Sequence, residues 1–129
     1  MPARDTQRSR VYKWERSEFG WDTEQISLCE CQRIINQEAD WLGIEVSDGR
    51  GCRKALARIS RKQIGLPVNM RKRWVVLHEI AHFLAHDSRW AAHGSQFMQE
   101  YIRLLAKHYR RDLETLRDSA IGFGVRVGY

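Results

Sequence analysis

The sequence predicts an α+β fold, with a small three-stranded sheet packed on a central helix and two or three further helices around it. Three observations lead there. Apolar residues recur at spacings of three and four in stretches near residues 23–42, 70–84 and 95–108, the signature of helices with one buried side. Between the first two stretches lie short strand-like segments separated by turn residues. The length, 129 residues, suits one domain that buries a core without disulfide staples.

Residues 1–20 show no period and read as a flexible basic N-terminal arm, with the body expected over 21–129. Tyr12, Trp14, Phe19 and Trp21 give the end of the arm the means to dock. A helix is expected from Asp22 or Thr23, either of which can accept from an orphan N–H. Its stripe is Leu28, Cys31, Ile35, Ala39 and Leu42, and Gly43 can end it in a left-handed conformation. Ile44-Glu45-Val46 reads as a first strand, and Asp48-Gly49-Arg50-Gly51 as a turn. Ala55–Ser60 and Gln63–Leu66 make the second and third strands, the last stopped by Pro67.

A second helix is expected from Asn69 or Met70, burying Trp74, Leu77, Ala81 and Leu84, with Ile80 beside them. The pattern breaks over Asp87–Ala92. Ser95 is a suitable N-cap for a third helix carrying Phe97, Met98, Tyr101, Ile102, Leu104, Leu105 and His108. Asp112 can cap a fourth through Ala120, and the glycine-rich tail 121–129 is expected as a strand or a closing loop.

The net charge is +6, unevenly spread. Residues 21–48 hold seven acids (Asp22, Glu24, Glu30, Glu38, Asp40, Glu45, Asp48) and one base, Arg33. Residues 49–73 hold nine bases (Arg50, Arg53, Lys54, Arg58, Arg61, Lys62, Arg71, Lys72, Arg73) and no acid. Two readings follow: the basic segment lies against the acidic helix and is partly neutralised there, or segment 50–73 forms a cationic surface for nucleic acid. No apolar run is long enough to span a membrane, and Met1–Arg10 lacks the apolar centre of a secretion signal, so a cytoplasmic protein is expected. The odd number of cysteines (Cys29, Cys31, Cys52), without a C-x-x-C spacing, points to reduced thiols in the core.

The chemistry concentrates in His78-Glu79-Ile80-Ala81-His82. On a helix, residues four apart are neighbours, so two neutral imidazoles can bind one Zn²⁺, with Glu79 placed to take a proton from attacking water. A catalytic zinc site needs a third protein ligand and one open position. His86 lies eight residues beyond His78, a rise of about 12 Å on a continuous helix, whereas ligand atoms of one ion sit about 3–4 Å apart. His93, after the helix break and before Gly94, is the preferred third ligand, because a chain returning from a helix end can bring its side chain back. Glu100 is the other alternative, matching the plan in which a later glutamate completes the site.

His78-Glu79-Ile80-Ala81-His82 followed by His93-Gly94-Ser95-Gln96-Phe97 resembles the SprT-like zinc metalloproteases, whose pattern is H-E-x-x-H, a gap, then H-G-x-x-F or W. Arg73–Leu77, preceded by Ile64-Gly65-Leu66-Pro67, also resembles a group of small actinobacterial metallohydrolases of unassigned substrate. Together these cover about residues 50–105. The resemblance implies a compact zincin-like core, with His78, His82 and His93 as zinc ligands and Glu79 as the base. Similar helices occur in the ImmA/IrrE-like proteases, which take a later acidic ligand; Glu100 is the nearest counterpart here.

The expected function is therefore a zinc-dependent metallopeptidase acting on a protein or peptide, with Glu79 as general base. Candidates to stabilise an oxyanion are Tyr101, Arg103 and His108. The Gln63–Leu66 strand offers an edge to which extended peptide could add. The alternative is a catalytically inactive zinc-containing module that binds nucleic acid or regulates a partner.

Overall fold

The computed structural model describes residues 4–87 and 89–128. It is an α+β fold of five α-helices and one three-stranded mixed sheet. The described chain forms two compact units, Asp22–Phe83 and the segments on either side of it.

In the first unit, residues expected as a flexible arm form helix α1 (Arg8–Phe19). Val11, Trp14 and Phe19 are fully buried at spacings of three and five, a stripe too short and too interrupted by charge to stand out in sequence. Trp14 packs edge-on against Phe19 and Tyr101, and Phe19 lies against Tyr109. These partners lie on α4 (Ser95–Tyr109), about ninety residues on in the sequence. Helix α5 (Leu113–Gly122) packs on α4 and α1. Asp112 caps α5 as expected, accepting from the Thr115 N–H at 2.9 Å. Gly94 sits at the N-cap of α4 and Ser95 is its first residue; the Ser95 hydroxyl donates to Gln96 and makes no cap hydrogen bond. The tail is a closing loop: Val125 is buried, and the Gly128 N–H donates to Ser95 O.

In the second unit, α2 (Leu28–Ala39) starts later than Asp22 or Thr23. Ser27 is the cap, accepting from the Glu30 N–H at 3.0 Å. The stretch before it is drawn elsewhere: the Ile26 N–H donates to Arg71 O, and Trp74 Nε1 donates to Asp22 O. Cys31, Ile34, Ile35 and Ala39 are buried, whereas Leu28 and Leu42 are only partly so. Gly43 is left-handed, as expected, but closes a short 3₁₀ turn at Asp40–Leu42.

The sheet comprises β1 (Glu45–Ser47), β2 (Leu56–Arg58) and β3 (Gln63–Gly65). Its order is β1-β3-β2, with β1 parallel and β2 antiparallel to β3. The strand expected to offer an open edge is therefore the central one, paired on both sides, and a peptide cannot add to it. Helix α2 packs on β1, and the Gln32 side chain continues the sheet: its amide donates to Ile44 O and accepts from the Val46 N–H, each at 2.8 Å. At Gly49, where φ is +65°, a Cβ would meet Pro67 N at 2.5 Å, so the turn between β1 and β2 requires glycine. Among the described residues, no helix is long and apolar enough to cross a membrane.

The charge reading also changes. Among the described residues, none of the nine bases of 49–73 forms an ion pair with an acid. Arg71 donates to the carbonyls of Leu66 and Asp48, and Arg58 to Gln63 and Cys52. The Glu30 carboxyl on α2 is held below its usual value first by its hydrogen bond from Arg33 and further by the charge of Arg73, so the basic segment acts on the acidic helix through space and not by direct pairing. Of the cysteines only Cys31 is buried, which pushes its thiol up to about 11; Cys29 is exposed and Cys52 half-buried.

Glu18 ties α1 to the rest of its unit. It accepts from the Ser119 hydroxyl and from Arg111, and Trp14 Nε1 donates to the same hydroxyl. The Ser119 hydrogen bond, aided by Arg111, holds the Glu18 carboxyl below its usual value. A folded pKa below the unfolded one adds stability that is full above the unfolded carboxyl pKa and disappears as pH falls through the folded value. Glu18→Gln is expected to cost about 1 kcal/mol at neutral pH and to lose that difference in acid, read by urea denaturation at pH 7 and pH 3.

Candidate metal centre

The H-E-x-x-H segment lies on α3 (Arg73–Leu84). The helix is entered through a 3₁₀ turn at Val68–Met70, so it begins after the expected Asn69 or Met70. Arg71 fixes the approach, its Nε donating to Leu66 O at 2.9 Å while its own carbonyl accepts from Ile26. Every residue from Val75 to Ala81 is buried, so the helix is covered all round and is not an amphipathic stripe. That burial takes in His78 and Glu79, at 5% and 7% exposure; His82 is half-buried.

One turn separates His78 from His82, and their ring centroids are 5.0 Å apart at an interplanar angle of 62°. Glu79 follows His78 by about 100° around the axis and lies about 60° from His82, so all three project from one half of the helix. This is the arrangement the spacing predicts: two imidazoles side by side and a carboxylate at their flank.

His93 belongs to the other unit, in the turn before α4, and is 6% exposed. Its Nδ1 is 2.9 Å from Asp5 Oδ2, and its backbone N–H donates to Asp5 Oδ1 at 3.3 Å. Gln7 Nε2 donates to the His93 carbonyl at 2.8 Å. The ring is flanked edge-on by Tyr12 and Phe97, with centroids 5.3 and 5.1 Å away. An ionised carboxylate only accepts, so the Asp5 contact puts the His93 ring proton on Nδ1 and leaves the Nε2 lone pair as the donor to a cation.

Within the helix-bearing unit, His78 and His82 present two ring nitrogens side by side, the pair that the expected metal site needs. The two alternatives for the third position are engaged differently. His86 lies beyond the end of α3 and is exposed. The Glu100 carboxylate accepts from Arg103 Nε and Nη2 at 3.2 and 3.0 Å, an i,i+3 pair along α4.

Two oxyanion candidates are also accounted for. Tyr101 is fully buried and gives its hydroxyl proton to Glu15 Oε1 at 2.9 Å, so it is a core residue. Arg103 is exposed and held by Glu100. His108 lies half-buried in the last turn of α4. Sequence reading missed Asp5, Gln7 and Glu15; the available signal was three polar residues close to an aromatic-rich stretch, and nothing local points to their partners.

Comparison with protein-family models, with curated proteins and with solved structures gave no match to the chain.

Tyr101→Phe is expected to destabilise the fold by about 1–3 kcal/mol, because it removes a donor from the buried Glu15 carboxylate. Thermal unfolding checks this; if the variant also keeps its metal content, the hydroxyl has a structural role only.

Proposed function

We propose that this protein is a zinc-dependent peptidase, in which His78, His82 and His93 hold the metal and Glu79 is the general base. The observation that carries the reading is the geometry on α3: the His78 and His82 rings stand one turn apart with centroids 5.0 Å from each other and Glu79 at their flank, and the His93-Gly94 pattern supplies the third ligand. A set of three imidazoles is the kind that leaves a position open for chemistry, and it favours zinc. The H-E-x-x-H…H-G-x-x-F pattern supports placing the chain with the SprT-like peptidases.

When bound, zinc supplies Lewis acidity toward water and toward a substrate carbonyl. Glu79 takes the proton of the attacking water and returns it to the leaving amine. Its place at the flank of the two histidines, in a segment shielded from solvent, suits a base that must act on one water and not on bulk solvent. His78 and His82 serve as neutral ligands from a helix whose burial limits their movement. A carboxylate at this position has no use in a purely structural site, which favours an enzyme over an inactive module. The substrate class is a protein or peptide. Three thiols, none in a disulfide, suit a cytoplasmic setting.

A second reading has its own observation, the nine bases of 49–73 that lack acidic partners. They suit contact with the phosphates of a nucleic acid, either as an inactive zinc module or beside the peptidase.

Two outcomes are expected. Purified protein binds about one equivalent of zinc; Glu79→Gln retains it while hydrolysis of an unfolded protein substrate falls by at least about 100-fold, and His93→Ala loses the metal where Glu100→Ala keeps it. Metal analysis and a peptidase assay read both effects, and wild-type turnover by Glu79→Gln would refute the mechanism. For the basic segment, affinity for duplex DNA should fall steeply between about 50 and 200 mM salt if several phosphates are engaged, and Arg50→Ala/Arg53→Ala/Lys54→Ala should flatten that slope. A slope unaltered by the triple substitution counts against this surface.

A further inference from the structure

The segment ahead of α1, residues 4–7, is tied to the His93 turn by more hydrogen bonds than its own conformation needs. Gln7 is 4% exposed, and both of its amide protons are used: Nε2 donates to His93 O at 2.8 Å and to Arg126 O at 3.1 Å, while Oε1 accepts from the Arg126 N–H at 2.8 Å. Asp5 adds two contacts to the same histidine, one to the ring and one to the backbone N–H. Both backbone polar groups of His93 and one ring nitrogen are therefore bound by side chains from the first seven residues.

We propose that Asp5 is a positioning residue for metal binding, selecting the Nδ1-protonated tautomer of His93 and fixing its ring so that Nε2 is presented to the ion. This rests on the reading of His93 as a metal ligand. The physical argument has three parts. The Asp5 carboxylate accepts from the ring, so it sets which nitrogen keeps its lone pair. Its second oxygen holds the backbone of the same residue, so ring and main chain are fixed together. The edges of Tyr12 and Phe97 limit rotation of the imidazole, leaving Asp5 to choose between ring flips. A carboxylate behind a metal-bound imidazole also makes the ring a stronger donor, and loss of such partners weakens metal binding by about 10–100-fold. Gln7 plays a different part, holding the carbonyl side of the turn and joining it to the C-terminal loop.

The test uses the full chain and four proteins: wild type, Asp5→Asn, Asp5→Ala and Gln7→Ala. Zinc affinity is measured by competition with a chromophoric chelator, Co²⁺ is bound for its visible absorption spectrum, and urea unfolding is followed on metal-free protein. Asp5→Ala is expected to bind zinc about 10–100-fold more weakly and to alter the Co²⁺ spectrum. Asp5→Asn, which keeps an acceptor but not the charge, should fall between it and wild type. Gln7→Ala should lower metal-free stability more than Asp5→Asn does. If folded Asp5→Ala binds zinc with wild-type affinity and an unaltered Co²⁺ spectrum, Asp5 is only a tether and the proposal is overturned, while the zinc reading stands. If wild type binds no zinc, the zinc reading itself falls and the proposal falls with it.

Discussion

Burying a polar side chain is unfavourable unless its hydrogen bonds are remade inside the protein, and the least expected features of this fold answer that constraint. Gln7, Glu15, Glu38, His78, Glu79 and His93 are all buried. Around Gln7 the requirement joins three distant segments, because its amide can be satisfied only by the carbonyl of His93 and the main chain of Arg126. Around Glu15 it recruits Tyr101 from α4. Helix α1 is thereby held by polar pairing along one side and by Trp14 and Phe19 along another. Removing either set would leave buried groups exposed to partners they cannot use.

The same constraint shapes the second unit, where the sheet is too small to satisfy itself. The strands are three residues each, and the Gln32 amide takes the place of a further strand beside β1. Arg71 performs the matching task at the end of β3, filling the Leu66 and Asp48 carbonyls and passing its own carbonyl to Ile26. The entry to α3 is therefore fixed by hydrogen bonds from both sides before the helix begins. This matters for the H-E-x-x-H segment, whose imidazoles are useful only if the helix does not slide or rotate. By contrast, Arg50, Arg53, Lys54, Arg61 and Lys62 are exposed, and their charges face solvent.

For the proposed chemistry, rigidity is divided unequally among the ligands. His78 and His82 inherit theirs from a helix buried over seven successive residues. His93 stands in a turn, where backbone order has to be supplied by other parts of the chain, and Asp5 and Gln7 supply it.

Local information in the sequence determined the α+β class, the H-E-x-x-H helix, the three strands, the left-handed Gly43 and the Asp112 cap. Each of these follows from periodicity or turn chemistry within about a dozen residues. The pairing of His78 with His82 was legible for the same reason, since helical geometry alone brings residues four apart together. Tertiary structure decided what local pattern does not contain. Residues 8–19 are a helix because Trp14 and Phe19 find aromatic partners about ninety residues away, and a stripe of three apolar residues gives no warning of that. Gln63–Gly65 is the central strand because β1 and β2 both pair with it, an outcome of topology and not of composition. Asp5 meets His93 across eighty-eight positions, and Arg103 takes the Glu100 carboxylate that spacing had left as a candidate ligand. Short-range sterics and hydrogen bonding are encoded residue by residue, whereas long-range burial is a property of the whole chain, settled only when every polar group it encloses has found a partner.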